Sequence, residues 1–146
     1  MTDEAAQQLA ETCRTAMYER DAGARKLAIE IQSVAPGASV AVMPVREDML
    51  NGHGICHGGY IFTLADTAFA YACNSYDHAT VAQHCAIEFI APGRAGDVLT
   101  ATAEEQVVSG RNGLYDVTVR RQDGELIACF RGRSFRLQTH IINQNS

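Results

Sequence analysis

The chain has 146 residues, of which 47% are hydrophobic and 20% are charged, and its net charge is −5. This length fits a single domain, residues 1–146, with a core large enough to fold unaided. The acidic balance argues against a nucleic-acid-binding module, whose signature is a basic face. The first residues are acidic and lack the apolar core of a signal peptide.

The N-terminal segment predicts an amphipathic helix over about residues 3–20. Its apolar side chains recur at the three- and four-residue spacing of one helix face, and Thr2 or Asp3 can serve as its N-cap. Asp21-Ala22-Gly23 can end the helix, and a short helical turn can follow. We interpret this element as a packing helix with no direct part in function.

From Leu27 the pattern changes to alternating apolar and polar residues, which is typical of strands. Ala35-Pro36-Gly37 interrupts the alternation as a turn. The segment therefore predicts a β-hairpin that pairs residues 27–34 with residues 38–46.

An almost uninterrupted apolar run follows His57 and predicts a helix over about residues 58–75. Its length suits a buried helix and is short for a membrane span. One stripe of this helix is expected to lie on a sheet and consists of Ile61, Leu64, Ala65, Ala68 and Ala72. The opposite side, with Phe62 and Asp66, is nearly as apolar as this stripe, so we expect the helix to be buried on all sides.

Asp66 is the one carboxylate in this run. An ionised carboxylate in apolar surroundings costs several kcal/mol by order of magnitude unless something compensates it. Buried carboxylates without an ion partner are therefore candidates for function. The alternative is that Asp66 accepts hydrogen bonds from Thr63 or from neighbouring backbone, and the pattern alone leaves both interpretations open.

Four strand-like runs remain after the central helix, and we expect them to pair as an antiparallel meander because short glycine-containing turns separate them. A single apolar helix among antiparallel strands is best buried by a sheet that curls around it, an α+β layout. The polar tail, residues 138–146, is expected to be flexible. The four runs are Val81–Ile90, Val98–Val108, Gly113–Arg121 and Leu126–Leu137.

Gly58 and Asp66 together suggest a reaction site. The first amides of a helix have no internal partner and can stabilise an oxyanion, and glycine permits close approach to them. The alternative is that Gly58 and Gly59 only permit a tight turn. Eight residues, about 12 Å of helix, separate Gly58 from Asp66, too far for both to act on one carbonyl. Two antiparallel copies of the helix would bring each Asp66 near the partner copy's Gly58, which predicts a homodimer with two shared sites.

The segment N-G-H-G-I-C-H-G-G from Asn51, followed by L-A-D-T-A-F-A-Y-A-C-N-S, closely resembles the phenylacetate-degradation thioesterases of the hotdog superfamily, the PaaI type. The resemblance continues through IEFIAPGRAGDVLTATA and GLYDVTVRRQDGELIACFRGRS, so it covers nearly the whole chain. It implies a sheet wrapped around a central helix and dimers that pair into tetramers. It also implies hydrolysis of aromatic acyl-CoA thioesters such as phenylacetyl-CoA and hydroxyphenylacetyl-CoA.

The resemblance also implies roles for individual residues. The Gly58 N–H would bind the thioester oxygen, with His57 beside it shaping the loop. Asp66 of the partner subunit would attack the carbonyl or activate water as a general base, and the sequence leaves both open. Asn51 would orient the nucleophilic water or the loop. Gly59 and Phe62 are candidates for substrate contact, although an aromatic residue on such a helix can equally belong to the core.

Coenzyme A carries several phosphate charges, so a local cationic surface must receive it on an acidic protein. Arg111 and Asn112, in a loop between two predicted strands, are the first candidates, and Arg94 is the second. The alternative for each arginine is a solvated surface charge. No cofactor is expected, because coenzyme A is part of the substrate.

The histidines and cysteines suggest no metal site, since the spacing H-x-x-C-H fits no closed zinc arrangement. Five cysteines without a C-x-x-C motif indicate reduced thiols in a cytosolic protein. Three rival functions stay open: a thioesterase for medium-chain or other acyl-CoA, a non-catalytic acyl-CoA-binding protein of the same fold, and a dehydratase.

Overall fold

The structure, a computed structural model, describes residues 1–142. It joins a six-stranded antiparallel sheet to a long central helix and an N-terminal helix, which confirms the predicted α+β layout. Within residues 1–142, no helix has both the length and the hydropathy that crossing a membrane requires. In chain order the elements are α1 (Asp3–Arg20), α2 (Ala22–Lys26), β1 (Glu30–Ala35), β2 (Ala38–Pro44), a 3-10 turn (Glu47–Met49), α3 (Gly58–Cys73), β3 (Thr80–Phe89), β4 (Val98–Ser109), β5 (Asn112–Arg120) and β6 (Leu126–Arg136).

Helix α1 has the bounds that its periodicity predicts. The Thr2 side chain accepts a hydrogen bond from the Ala5 amide (3.1 Å), and the acidic residues that follow Thr2 complement the helix dipole. At the far end, Asp21 ends α1 and caps α2 by accepting from the Ala24 amide (3.1 Å). Ala10 of α1 packs against Val34 of β1 and Tyr71 of α3, so α1 lies beside the first strand.

The predicted hairpin is confirmed, although β1 begins three residues later than expected. Leu27 caps the C-terminus of α2 instead of starting a strand. Ala28 then adopts a left-handed conformation (φ 56°), which breaks the extended backbone that alternation alone would predict.

The strand order corrects one expectation. The sheet runs β1-β2-β4-β5-β6-β3, so β3 pairs with β6 at an edge and is not the neighbour of β4. The predicted meander therefore holds for β4, β5 and β6 only. The physical reason lies in burial: β4 and β5 alternate buried residues that face the helix, whereas most of β3 is exposed, which suits an edge position.

Helix α3 lies on one face of the sheet with the predicted stripe inward. All five residues of that stripe are buried, and they share a core with alanines of β2 and β4, whose small size lets helix and sheet approach closely. On the opposite side, Phe62, Asp66 and Ala70 are half-buried, so this side of α3 is partly open in the single chain.

The tail differs from expectation up to residue 142. Ile141 is buried against Cys13 and Ala79, and the amides of Ile141 and Ile142 both donate to the Asp77 side chain (3.0 and 2.9 Å). These contacts correct the prediction of a flexible tail for residues 138–142. Residues 143–146 lie outside the part of the chain that the structure describes.

Candidate active site

The loop before α3 is held together by Asn51. Its side-chain oxygen accepts hydrogen bonds from the backbone amides of His53 (2.9 Å) and Ile55 (3.3 Å), and its backbone N–H donates to the Ile55 carbonyl (2.8 Å). Asn51 was expected to orient a water or the loop, and in this structure its side-chain oxygen accepts hydrogen bonds from two amides of the loop.

Two backbone hydrogen bonds fix the end of this loop where the helix begins. The Cys56 N–H donates to the Gly93 carbonyl (2.7 Å), and the His57 N–H donates to the Met49 carbonyl (2.8 Å). His57 is the N-cap residue of α3, but its exposed side chain makes no capping bond and instead lies edge-on to Tyr60. The start of α3 is therefore rigidly placed while its first amides stay uncapped.

Gly58 is the first residue of α3, and its amide is a free donor. Within residues 1–142, neither the Gly58 nor the Gly59 N–H donates to another protein group. A Cβ at position 58 would lie 2.7 Å from Cζ of Phe89, whereas a Cβ at position 59 would meet nothing within 4 Å. A side chain at position 58 would therefore have to displace the Phe89 ring, whereas one at position 59 would displace nothing.

Asp66 lies two turns further along α3 on the half-buried side. Burial is the main cause that raises the pKa of its carboxyl, and the negative charge of Asp21 adds to the shift. No side chain or amide among residues 1–142 donates a hydrogen bond to it; Thr63, the alternative partner, donates to the Gly59 carbonyl (2.9 Å). The carboxylate is thus partly desolvated and uncompensated, as a reactive acid or base would be.

Phe62 lies between Gly58 and Asp66 on the same stripe of α3, because residues four apart occupy one helix face. Its ring packs edge-to-face on Phe130 of β6, with ring centroids 5.4 Å apart. Phe62 therefore contributes to the core, and its half-buried ring also borders the open side of the helix.

The inner row of β3 lies beside this stripe. It consists of every second residue of the strand, all facing the same side: Cys85, Ile87 and Phe89. Cys85 and Ile87 pack against the core beside the helix, and Phe89 lies on Gly58. We call the boundary between the Gly58–Phe62–Asp66 stripe and this row the α3–β3 furrow. The residues that define it are apolar apart from the Gly58 amide, the Asp66 carboxylate and the Cys85 thiol.

The predicted cationic residues lie at opposite ends of α3. Arg94 is exposed in the loop that contains Gly93, and Gly93 bonds the loop before Gly58, so Arg94 belongs to the N-terminal end. Arg111 lies in the β4–β5 turn and Asn112 begins β5, and both are exposed. The Arg111 guanidinium lies 6.0 Å from the Phe135 ring centroid, near the C-terminal end of α3. One chain therefore does not bring these two arginines together.

Comparison with known proteins identifies the family. The family model described as thioesterase superfamily matches residues 53–128, from the loop before α3 into β6. The chain belongs to the thioesterase superfamily. It is 52% identical over 122 residues to the acyl-coenzyme A thioesterase PaaI of Escherichia coli K12. The aligned residues cover 84% of this chain and 87% of that protein.

Two solved structures are similar to this superfamily member over most of its length. The structure of the Escherichia coli PaaI protein from the phenylacetic acid degradation operon superposes with a TM-score of 0.90 at 48% identity, covering 92% of this chain and 97% of that one. A Streptococcus mutans UA159 protein solved bound to acetyl-CoA superposes with a TM-score of 0.73 at 26% identity, covering 77% and 90%. The expected hotdog fold is thereby confirmed.

Sequence reasoning missed one contact at this candidate site. Phe89 contacts Gly58, although 31 positions separate them in the chain. The only local signal is a phenylalanine at the end of a strand-like run, next to Pro92-Gly93, which indicates a strand end and gives no partner for the ring.

Proposed function

We propose that this protein is an acyl-CoA thioesterase that hydrolyses aromatic acyl-CoA thioesters such as phenylacetyl-CoA and hydroxyphenylacetyl-CoA to the free acid and coenzyme A. The observation that carries the proposal is the α3 stripe, on which a free amide at Gly58 and an uncompensated carboxylate at Asp66 lie on one side of one helix. A free donor suits a developing oxyanion, and a carboxylate suits attack or general-base catalysis.

In the proposed reaction, the thioester oxygen accepts a hydrogen bond from the Gly58 N–H, and the positive end of the α3 dipole favours the charge that develops on it. In one route Asp66 attacks the carbonyl carbon, and the mixed anhydride that forms as the thiolate leaves is then hydrolysed by water; in the other, Asp66 takes a proton from a water that adds to the carbon. The carbon–sulfur bond then breaks and coenzyme A leaves as a thiolate. A thiolate is a good leaving group, so no strong general acid is required. No cofactor enters, because coenzyme A is part of the substrate.

We further propose a homodimer in which Gly58 of one copy and Asp66 of the other form each site. The two groups lie about 12 Å apart along one helix, which exceeds the reach of one reacting carbonyl. A two-fold axis near Phe62 would align two antiparallel α3 helices with each Asp66 opposite the partner copy's Gly58. The half-buried side of α3 would then be covered, as its apolar character favours.

The two edges of the sheet support this dimer. At the β1 edge, side chains of α1 cover the strand: Gln7, Arg14 and Tyr18 donate to three carbonyls in or just before β1 (2.8, 3.3 and 2.6 Å). The β3 edge has no such cover among the described residues, and Val81 at its start is an exposed apolar residue (47% exposed). An uncovered edge beside the open side of α3 is a natural surface for a second copy. We extend the proposal to a dimer of dimers, a homotetramer, by analogy with the family.

The nucleotide of coenzyme A needs cations, and the proposed dimer supplies them from both copies. Arg94 would flank the site on the copy that provides Gly58. Arg111 and Asn112 would lie beyond the Asp66 of the other copy, past the C-terminal half of its α3, where an extended pantetheine arm could carry the phosphates. The free thiols of all five cysteines fit a reducing compartment, so we propose a cytoplasmic location.

The test is a panel of acyl-CoA esters assayed by release of free thiol. Phenylacetyl-CoA and hydroxyphenylacetyl-CoA should be hydrolysed with higher kcat/KM than hexanoyl-CoA and octanoyl-CoA. Preference for the aliphatic esters would favour the medium-chain alternative. Tight binding of acyl-CoA without thiol release would favour the non-catalytic binding protein.

The shared site has its own test, which mixes inactive subunits. Asp66→Asn and Gly58→Ala chains, inactive alone, should regain about one working site per heterodimer when refolded together. A control mixture of two differently tagged Asp66→Asn chains should stay inactive. No recovery in the first mixture would contradict the shared site without contradicting thioesterase activity.

A further inference from the structure

We propose that Phe89 determines the acyl specificity of this site: its ring forms the wall on which the acyl group of the substrate packs while the thioester oxygen is bound at Gly58. The inference rests on the proposed thioesterase function and deepens it. Phe89 lies at the end of β3, whereas Gly58 and Asp66 lie on α3. The inference follows from three features of the position of the Phe89 ring.

First, the ring is held against the oxyanion donor. A Cβ at Gly58 would meet three atoms of the Phe89 ring, Cζ, Cε1 and Cε2, at 2.7, 3.1 and 3.2 Å. The ring therefore lies directly on the glycine from the side of its Cα. A side chain at position 58 would have to displace this ring, while the Gly58 N–H has no acceptor among residues 1–142.

Second, the backbone that carries the ring is anchored. Phe89 is the last residue of β3 and pairs with Ala128 of β6. Directly after it, the amides of Ile90 and Ala91 both donate to the carbonyl of Ile127 (2.8 and 3.2 Å). Two successive residues that oppose one are the mark of a β-bulge, which ends the pairing and re-aims neighbouring side chains. The strand end is thus anchored, which holds the backbone of Phe89 beside the start of α3.

Third, the ring is more exposed than its packing on Gly58 requires. Phe89 is 53% exposed, whereas the aromatic residues of the core, Phe69 and Phe130, are at most 3% exposed. A large apolar side chain that remains open beside a free amide offers contact area to whatever binds there.

The acyl group is the part of the substrate that suits this wall. The thiol arm ends in a charged nucleotide, so it must run out to water and to the arginines at the surface. The acyl group is apolar and has no such requirement. From a carbonyl bound at Gly58, the α3–β3 furrow leads past Phe89 and Phe62 along apolar surface, and an aromatic acyl group can pack edge-on or offset against these rings.

The test compares Phe89→Ala and Phe89→Leu with the wild type on phenylacetyl-CoA and acetyl-CoA. Val107→Ala, which trims an exposed apolar residue of β4, away from the proposed interface, is the control. We expect Phe89→Ala to lower kcat/KM for phenylacetyl-CoA by about tenfold or more, and for acetyl-CoA by less than about threefold, because acetyl has almost no surface to lose. Phe89→Leu keeps apolar volume and should fold, and it should lose preference for phenylacetyl-CoA over hexanoyl-CoA. Val107→Ala should keep the wild-type preference.

Equal losses on phenylacetyl-CoA and acetyl-CoA would overturn the inference, because they would assign Phe89 to the structure of the glycine turn alone. Unchanged ratios in both variants would overturn it as well. A second substrate pair, phenylacetyl-CoA and the phenylacetyl thioester of N-acetylcysteamine, should show the same loss in Phe89→Ala; a loss confined to the coenzyme A ester would assign the ring to the thiol arm and overturn the acyl role. A wild-type protein that hydrolyses no acyl-CoA would instead overturn the proposed function.

Discussion

Replacing Asp66 by asparagine should stabilise the fold and abolish the chemistry at the same time. Asn has nearly the shape of Asp but carries no charge. Asp66 is half-buried on α3, and no group among residues 1–142 donates a hydrogen bond to it. Burial first, and the charge of Asp21 second, raise its pKa above the ordinary 3.8. The fold therefore disfavours the ionised form of this carboxyl.

The size of the effect follows from partial burial. An unpaired charge that is fully buried costs several kcal/mol, but Asp66 keeps contact with solvent, which reduces the cost to about 1 kcal/mol. Asp66→Asn should raise the free energy of unfolding by about this amount at pH 7. Because the folded-state pKa is raised, the penalty is complete above that pKa and disappears as the pH falls below the unfolded value of 3.8. The gain from the substitution should shrink over the same range.

Urea denaturation followed by circular dichroism at neutral and acidic pH measures the stability, and thiol release from phenylacetyl-CoA measures the activity. Glu104→Gln makes the same chemical change at an exposed carboxylate on β4 and should alter neither quantity measurably. A loss of stability in Asp66→Asn at pH 7 would refute the reasoning, since it would mean that the carboxylate makes favourable bonds. Near-normal turnover would remove Asp66 from the mechanism.

Three further substitutions test other parts of the structure. Gly58→Ala places a Cβ 2.7 Å from an aromatic ring of β3 and should lower thiol release at least tenfold, whereas Gly52→Ala, with nothing within 4 Å, should not. Ala28→Gly relieves a left-handed alanine (φ 56°) and should raise the free energy of unfolding by about 0.5–1 kcal/mol in urea titrations; a decrease would contradict the strain. Arg111→Ala should raise KM for acyl-CoA more at low salt than at high salt, because salt screens the attraction between the guanidinium and the phosphates. Arg131→Ala is the control, since the Arg131 guanidinium already pairs with a carboxylate of β5. Equal changes of KM in the two variants would contradict nucleotide binding by Arg111.

The elements that the sequence predicts well are those set by local pattern. The stripe of α3 follows from spacing within one helix, so its buried face and the position of Asp66 on the other side could be read directly. The strand bounds agree within one or two residues, because alternation and turn residues are also local. The start of β1 is the exception, since the left-handed Ala28 has no signature in its residue type.

What the sequence could not provide is the order of the strands. The place of β3 beside β6 depends on how buried faces of distant segments share one helix, and no neighbouring residue encodes it. The same limit hid Phe89, whose contact with Gly58 exists only once β3 lies at the edge next to the start of α3. Arg111 and Arg94, the first and second candidates for the cationic surface, lie at opposite ends of α3, and their separation also appears only in the fold.

The strongest argument for a functional site is that several local irregularities occur on one side of one helix. Gly58 begins α3 with amides that nothing caps, Asp66 is partly desolvated without a partner, and Phe89 is an exposed ring at an edge strand. Each of these is a small cost to a folded monomer, and each could be removed by a common substitution. Elsewhere in residues 1–142 the buried polar side chains all find hydrogen-bond partners, so the fold as a whole tolerates few such costs. Departures from local rules that collect around one furrow, on the uncovered edge of the sheet, are what a site completed by a substrate and a second copy would require of the single chain.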